Sequence, residues 1–322
     1  MKKKLALILA ALLCSAAVAT TLVGCGNQQP TVTSSGVEIG SVVSGFSLKE
    51  LREVNNILTA LANNKEIITL SETKDVNGNT TDMTASQYRL KKKTLYYDTM
   101  SADKDSNPTG ARSGELTPEG VGVEYGATLF GNGVAETKTL TIVSGTDYAK
   151  FVAALPNSFM RTTGVHEEDV ECYQGADGII VKTQVIVSGE ENANRFHYYY
   201  VDESTKQVKA LVEDVLDLKG NITGQTQVNY SANSTINMNK TAKSIVTDGT
   251  DTTELTIVTL DGNTESKKTV TVDKDTQISV YTPSGKKAQI YTARKNGKLQ
   301  NEVSTVDLTD DKVTIYVSFT NA

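Results

Sequence analysis

The chain has 322 residues, with 38 acidic against 32 basic side chains and a formal net charge of −6. An acidic balance argues against nucleic acid as a partner, because that needs a basic face to neutralise phosphates. Short alternating runs rich in Thr, Val, Asn and Gly favour β structure, and the length suits one large or two modest domains.

The amino terminus reads as a targeting segment. Lys2, Lys3 and Lys4 precede an apolar stretch from Leu5 to Val18 that holds no acid. A membrane span needs about 20 apolar residues, so this stretch fits the h-region of a secretory signal better. The order Leu22-Val23-Gly24-Cys25 resembles the lipobox of bacterial lipoproteins. That resemblance implies a diacylglycerol on the Cys25 thiol, removal of residues 1–24, and acylation of the new amino terminus. Cys14 is no rival, since bulky Leu13 stands where a small residue is needed. The alternative is an ordinary signal peptide that happens to contain a cysteine. Each buried methylene contributes about 0.8 kcal/mol; one chain holds only marginally, whereas two or three anchor. The expected location is therefore the cell envelope, lipid-anchored on the outer side of the cytoplasmic membrane. Residues 1–24 carry three of the cations and none of the acids, so a chain starting at Cys25 has a charge of −9. Cys172 is then the one other cysteine, which leaves no disulfide framework.

Residues 25–45 are mostly Gly, Ser, Thr, Val and Gln without a period, and read as a flexible tether. The segment SLKELREVNNILTALANNK predicts a helix, with Ser47 and Glu50 as a capping box. Leu48, Leu51, Val54, Leu58 and Leu61 form one stripe on it. From Glu66 the period becomes two. Asn77-Gly78 predicts a hairpin turn, and KKKTLYYDTM a third strand. Asp103 to Gly114 reads as a polar loop, followed by the strand LTIVSG. TDYAKFVAALPN predicts a short helix ending before Pro156. GIIVKTQVIVSG puts Ile179, Val181, Val185 and Val187 on one face, and RFHYYYVD does the same for Phe196, Tyr198 and Tyr200. QVKALVEDVLDLKG and TGQTQVNYSA complete a meander with one face packed and one wet. Residues 233–243 are polar and aperiodic, a candidate boundary. Beyond it, short strands such as KVTIYVSF alternate with Gly turns, either as a small sandwich or barrel or as an extension of the first sheet.

The expected fold is thus mainly β (α+β): an antiparallel curved sheet or half-barrel with one or two packing helices over residues 46–238. A small all-β, sandwich-like domain over 244–322 follows it. On the order of elements and on YYYVDESTKQVKALVEDVLDLKGNI, with its turn at Val201-Asp202-Glu203-Ser204-Thr205 and its hairpin at Lys219-Gly220-Asn221, residues 46–235 resemble the carrier fold of LolA, LolB and the mycobacterial LppX/LprG lipoproteins. The resemblance implies a concave apolar face, partly lidded by helices, that holds acyl chains by burying apolar area. Leu48, Leu51, Val54, Leu58, Leu61, Phe196, Tyr198 and Tyr200 are the candidate ligand contacts. The same residues also suit an ordinary core.

Signals for catalysis or metal are thin, and no enzymatic activity, metal or other cofactor is expected. His166 in HEEDVEC lies near Glu167, Glu168, Asp169 and Cys172, which reads as a solvated acidic turn rather than a thiol or metal centre. His197 reads as exposed. DVNGNTTD and DKDSNPTG read as turns, since neither has the Gly and Glu positions of an EF-hand loop. The run 89–93, RLKKK, reads as a solvated hairpin end rather than a headgroup contact. Three functions remain: a membrane-anchored module that binds a lipid or other apolar molecule; an envelope lipoprotein that presents packed β domains to a protein or wall polymer; and, least favoured, a hydrolase, which would require His166 and His197 to converge with several carboxylates in a cleft.

Overall fold

The computed structural model describes residues 31–32, 36–54, 57–131, 133–153, 155, 165–186, 189–190, 193–205, 207–231 and 241–321. Residues 1–24, read from sequence as a signal, lie outside these residues, as do Cys25, Pro156, Val187 and the polar stretch 233–240. The chain is mainly β, as the alternating pattern predicts. The strands are β1 (Thr31–Val32), β2 (Glu38–Ile39), β3 (Glu66–Asp75), β4 (Thr80–Lys91), β5 (Thr94–Asp103), β6 (Pro108–Leu116), β7 (Val121–Leu129), β8 (Ala135–Ser144), β9 (Glu171–Gly175), β10 (Gly178–Val185), β11 (Asn194–Asp202), β12 (Gln207–Leu216) and β13 (Ile222–Ser231). After them come β14 (Thr252–Asp261), β15 (Thr264–Asp273), β16 (Gln277–Val280), β17 (Lys286–Lys295), β18 (Lys298–Val303) and β19 (Lys312–Asn321). Among the described residues four short α-helices accompany them: α1 (Leu48–Val54), α2 (Ile57–Asn63), α3 (Tyr148–Ala153) and α4 (Ala242–Thr247).

Twelve strands form one open sheet in the order β16-β8-β7-β6-β5-β4-β3-β13-β12-β11-β10-β9, and β15-β14-β19-β17-β18 form a second. The residues group into two compact units: Met1–Ala85 with Ala102–Ser106 and Asn157–Thr235, and Ser86–Ser101 with Asn107–Pro156 and Ile236–Ala322. One cut of that division, between Thr235 and Ile236, falls within residues 233–243, and the second unit also takes in Ser86–Ser101 and Asn107–Pro156.

In the first unit both faces of the β9–β12 sheet are covered. On one face Leu51 of α1 packs with Val181, Tyr199, Val201, Leu211 and Val228. On the other, Val37 packs with Ile180, Tyr198 and Val212. Residues 36–45 connect these layers and are not a free tether. Gly40 and Val43 donate backbone hydrogen bonds to Gln174 and Cys172 of β9, so the segment lines the β9 edge. The apolar signal there is Val37, Ile39, Val42 and Val43, too short to register as a period. The capping box forms as expected: the Glu50 N–H donates to Ser47 Oγ and the Ser47 N–H to Glu50 Oε2.

In the second unit the expected polar loop 103–114 is largely strand, with β6 paired to β7 from Gly110↔Thr128 to Glu115↔Val123. Its inward positions are Ala111, Ser113 and Leu116, too small and mixed to read as an apolar run. α4 carries the buried Ala242 and Val246. The five-stranded sheet buries Leu255, Ile257, Val272, Ile315 and Val317. Its strands all lie between Thr252 and Asn321, but β16 leaves them to run parallel to β8. These strands thus form a separate five-stranded sheet, while β16 extends the first sheet.

Candidate functional site

The predicted ligand contacts separate by face. Strand alternation puts His197, Tyr199 and Val201 on one side of β11 and Phe196, Tyr198 and Tyr200 on the other. Leu51 belongs to the Tyr199 layer; Phe196, Tyr198 and Tyr200 lie in the Val37 layer. Leu48 and Leu61 are buried and Leu58 is half-buried, while the Val54 side chain lies outside the described residues. The helix stripe and the aromatic triplet therefore do not line one cavity.

The face under α1 is organised in rows. Register aligns Val181, Tyr199, Leu211, Val228 and Ser71 across five strands. The next row is Thr183, His197, Glu213, Thr226 and Thr73. Here His197 Nε2 lies 3.0 Å from Glu213 Oε2, its Nδ1 lies 3.3 Å from Thr183 Oγ1, and the Thr73 and Thr226 hydroxyls are 3.4 Å apart. His197 is 1% exposed, which overturns the sequence-based reading of an exposed ring. The reason is that β11 is covered on both faces, so its outward positions are not wet. Thr69, also fully buried, has a hydroxyl without a hydrogen-bond partner among the described residues.

One polar anchor holds the start of α1. The Leu48 N–H donates to the Glu167 carboxylate at 2.9 and 3.1 Å. Glu167 opens the turn Glu167–Asp169, and Asp169 accepts the His166 N–H. That hydrogen bond, followed by one from Gln184, holds the Asp169 carboxyl below its ordinary range. HEEDVEC thus acts as a bracket for the helix. Cys172 is buried, accepts the Phe46 N–H at 3.2 Å, and has its thiol pKa pushed up by burial.

The second unit holds a polar groove of about 270 Å³, lined by Thr99, Ser101, Gly110, Ala111, Arg112, Gly126, Ala127, Thr128, Thr137 and Thr139. Arg112 donates to the buried Glu124 at 2.7 Å, and Tyr97 donates its hydroxyl to the same carboxylate. Burial foremost, then the Glu124 charge, holds the Tyr97 hydroxyl well above its ordinary pKa. Sequence reasoning missed this groove. Its one signal is the scatter of Gly, Ser and Thr on alternate positions of four strands, which looks like loop composition.

No family model matches the chain, and no curated protein matches it. Among solved structures, a DUF1329 family protein from Desulfovibrio piger aligns at 8% identity and a TM-score of 0.28, over 62% of this chain and 98% of that one. A putative outer membrane lipoprotein-sorting protein domain from Vibrio parahaemolyticus aligns at 10% identity and a TM-score of 0.28, over 60% of this chain and 94% of that one. Likeness at that level does not establish a shared fold.

Proposed function

We propose that this chain is a membrane-anchored extracytoplasmic binding protein that takes a lipid or other apolar molecule without covalent chemistry. The observation that carries the reading is the layer beneath Leu51. A short amphipathic helix, held at its start by Glu167, covers an apolar row with a hydrogen-bonding row beside it. An amphiphile entering under α1 would meet apolar contacts for its tail and Thr183, His197 and Glu213 for its polar end. Apolar burial contributes roughly 25 cal/mol per Å², so a single acyl chain suffices for useful affinity. α1 is seven residues long and is stable only through its packing, which suits it to act as a lid. The lipobox-like segment at Cys25 supplies the anchor.

Titration of a fluorescent fatty acid into the full chain tests this. Saturable uptake that unlabelled fatty acid competes away is expected, with uptake falling roughly tenfold or more in Val181→Trp, which fills the face. Uptake that is absent, or equal in both proteins, would sink the reading.

A second reading has its own observation. Leu51, Tyr199, Val181, Leu211 and Val228 form one contiguous packed cluster, as a solid core would. On that reading the chain is an envelope lipoprotein whose β surfaces meet a protein or wall polymer, and α1 never opens.

A further inference from the structure

The first unit displays three large apolar side chains at one end of its sheet. Val76 is 63% exposed, Leu218 58% and Ile186 68%. Register places Asp75, Gly224, Val215, Arg195 and Val185 opposite one another on β3, β13, β12, β11 and β10. Val76 follows Asp75 by one residue, Ile186 follows Val185 by one, and Leu218 follows Val215 by three. All three therefore project beyond the same row, at neighbouring hairpin ends about 10 Å apart given strand spacings near 4.8 Å.

Two of these tips are built alike. Asp75-Val76-Asn77-Gly78-Asn79 and Asp217-Leu218-Lys219-Gly220-Asn221 share the pattern Asp, aliphatic, polar, Gly, Asn. In each, Asp Oδ1 accepts two backbone N–H groups and Oδ2 accepts the Asn side-chain amide. Gly78 and Gly220 sit at φ +79° and +82°, where a Cβ would be strained. The acids are thus turned back on their own backbone, while the aliphatic residue and the neutral or basic Asn77 and Lys219 face outward.

We propose that this end of the unit rests on a lipid bilayer, with Val76, Leu218 and Ile186 inserted at the interface. Three separated aliphatic points at strand ends suit a bilayer, which accepts any lateral arrangement. A protein partner wants one contiguous complementary patch. The proposal rests in part on the anchoring proposed above. Cys25 lies six residues before Thr31, which pairs with Ile39 across the β1–β2 ladder, and six extended residues reach roughly 20 Å.

The test uses the full chain, as isolated from cell membranes, in phosphatidylcholine–phosphatidylglycerol vesicles. Environment-sensitive fluorophores are placed through Val76→Cys, Ile186→Cys and Leu218→Cys, and through Glu203→Cys in the exposed β11–β12 turn at the other end. Blue-shifted emission, quenched by spin-labelled lipid at 76, 186 and 218 but not at 203, is expected. The combined serines at the three tips should lower vesicle partition by roughly tenfold. Mass analysis of the Cys25 peptide separates this from the anchor. Acylated Cys25 with all four probes in water overturns the docking end and keeps the anchor. Unmodified Cys25 with immersed tips keeps the docking end alone. Probes that stay in water on vesicles but become shielded by an envelope protein also overturn it, in favour of a protein partner.

Discussion

His197 Nε2 lies 3.0 Å from Glu213 Oε2 on adjacent strands, with both side chains sealed from solvent. Breaking such a pair leaves a desolvated polar group without its partner. His197→Ala should lower unfolding free energy by about 3 kcal/mol or more, as for other buried pairs. Chemical denaturation of His197→Ala, Glu213→Ala and the double variant should show the double costing less than the sum. Additive losses would mean the two side chains do not act as a pair.

Cys172 tests the packing of the N-terminal segment. Burial raises its thiol pKa, and Phe46 seals it. A thiol reagent at pH 8 should leave Cys172 largely unmodified in the folded chain and react fully in denaturant. Rapid stoichiometric labelling of the folded chain would show that residues 40–46 do not close over β9.

Gly114 faces the Tyr97 ring so closely that an added Cβ would stand 1.9 Å from Tyr97 Cε1. Gly114→Ala should destabilise by roughly 1–3 kcal/mol through overpacking. Gly110→Ala, whose Cβ meets nothing nearer than the Ala127 carbonyl at 3.5 Å, should be near neutral. Equal thermal midpoints for the two variants would contradict the Tyr97 placement.

Lys286 Nζ lies 2.7 Å from both Asp147 Oδ2 and Asp261 Oδ2. Burial works against the lysine's charge, but hydrogen bonds to the two carboxylates outweigh it and raise its pKa. Burial likewise works against the Asp261 charge, but hydrogen bonds from Lys286, Ser144 and Thr146 outweigh it and lower its pKa. The Asp261 contribution is therefore complete above about pH 4 and is lost as pH falls through its lowered folded value. The lysine contribution is complete below about pH 10 and is lost as pH rises through its raised folded value. Lys286→Met should be less stable at pH 7, with the gap to the natural chain narrowing below pH 4. A constant gap from pH 7 to pH 3 would contradict this.

What could be read from the sequence followed local chemistry. The capping box at Ser47, the turns at Asn77-Gly78 and Lys219-Gly220-Asn221, and the faces of β10 and β11 each depend on neighbours a few residues apart. Readings failed where long-range pairing decides. His197 looked wet because alternation assumes one solvated face, and the Val37 and α1 layers cover both. β6 looked like a loop because its buried positions include the small Ala111, Ser113 and Gly114, with Leu116 only at its end. The Arg112–Glu124 groove and the pairing of β16 with β8 join residues far apart in sequence, and no local pattern announces either. The candidate ligand residues were individually well placed as apolar, but periodicity cannot say that Leu51 and Tyr198 lie on opposite faces of one sheet.

The most direct measurement for the proposed function is native mass spectrometry of the full chain, purified from lipid-containing cells and released from detergent in the gas phase. Beyond the mass of the chain with whatever covalent acyl groups it carries, a further mass is expected that survives gentle ionisation, extracts as lipid, and is depleted in Val181→Trp. A single mass with no non-covalent addition, in both the natural sequence and the variant, would contradict binding under α1. It would favour the packed-core reading.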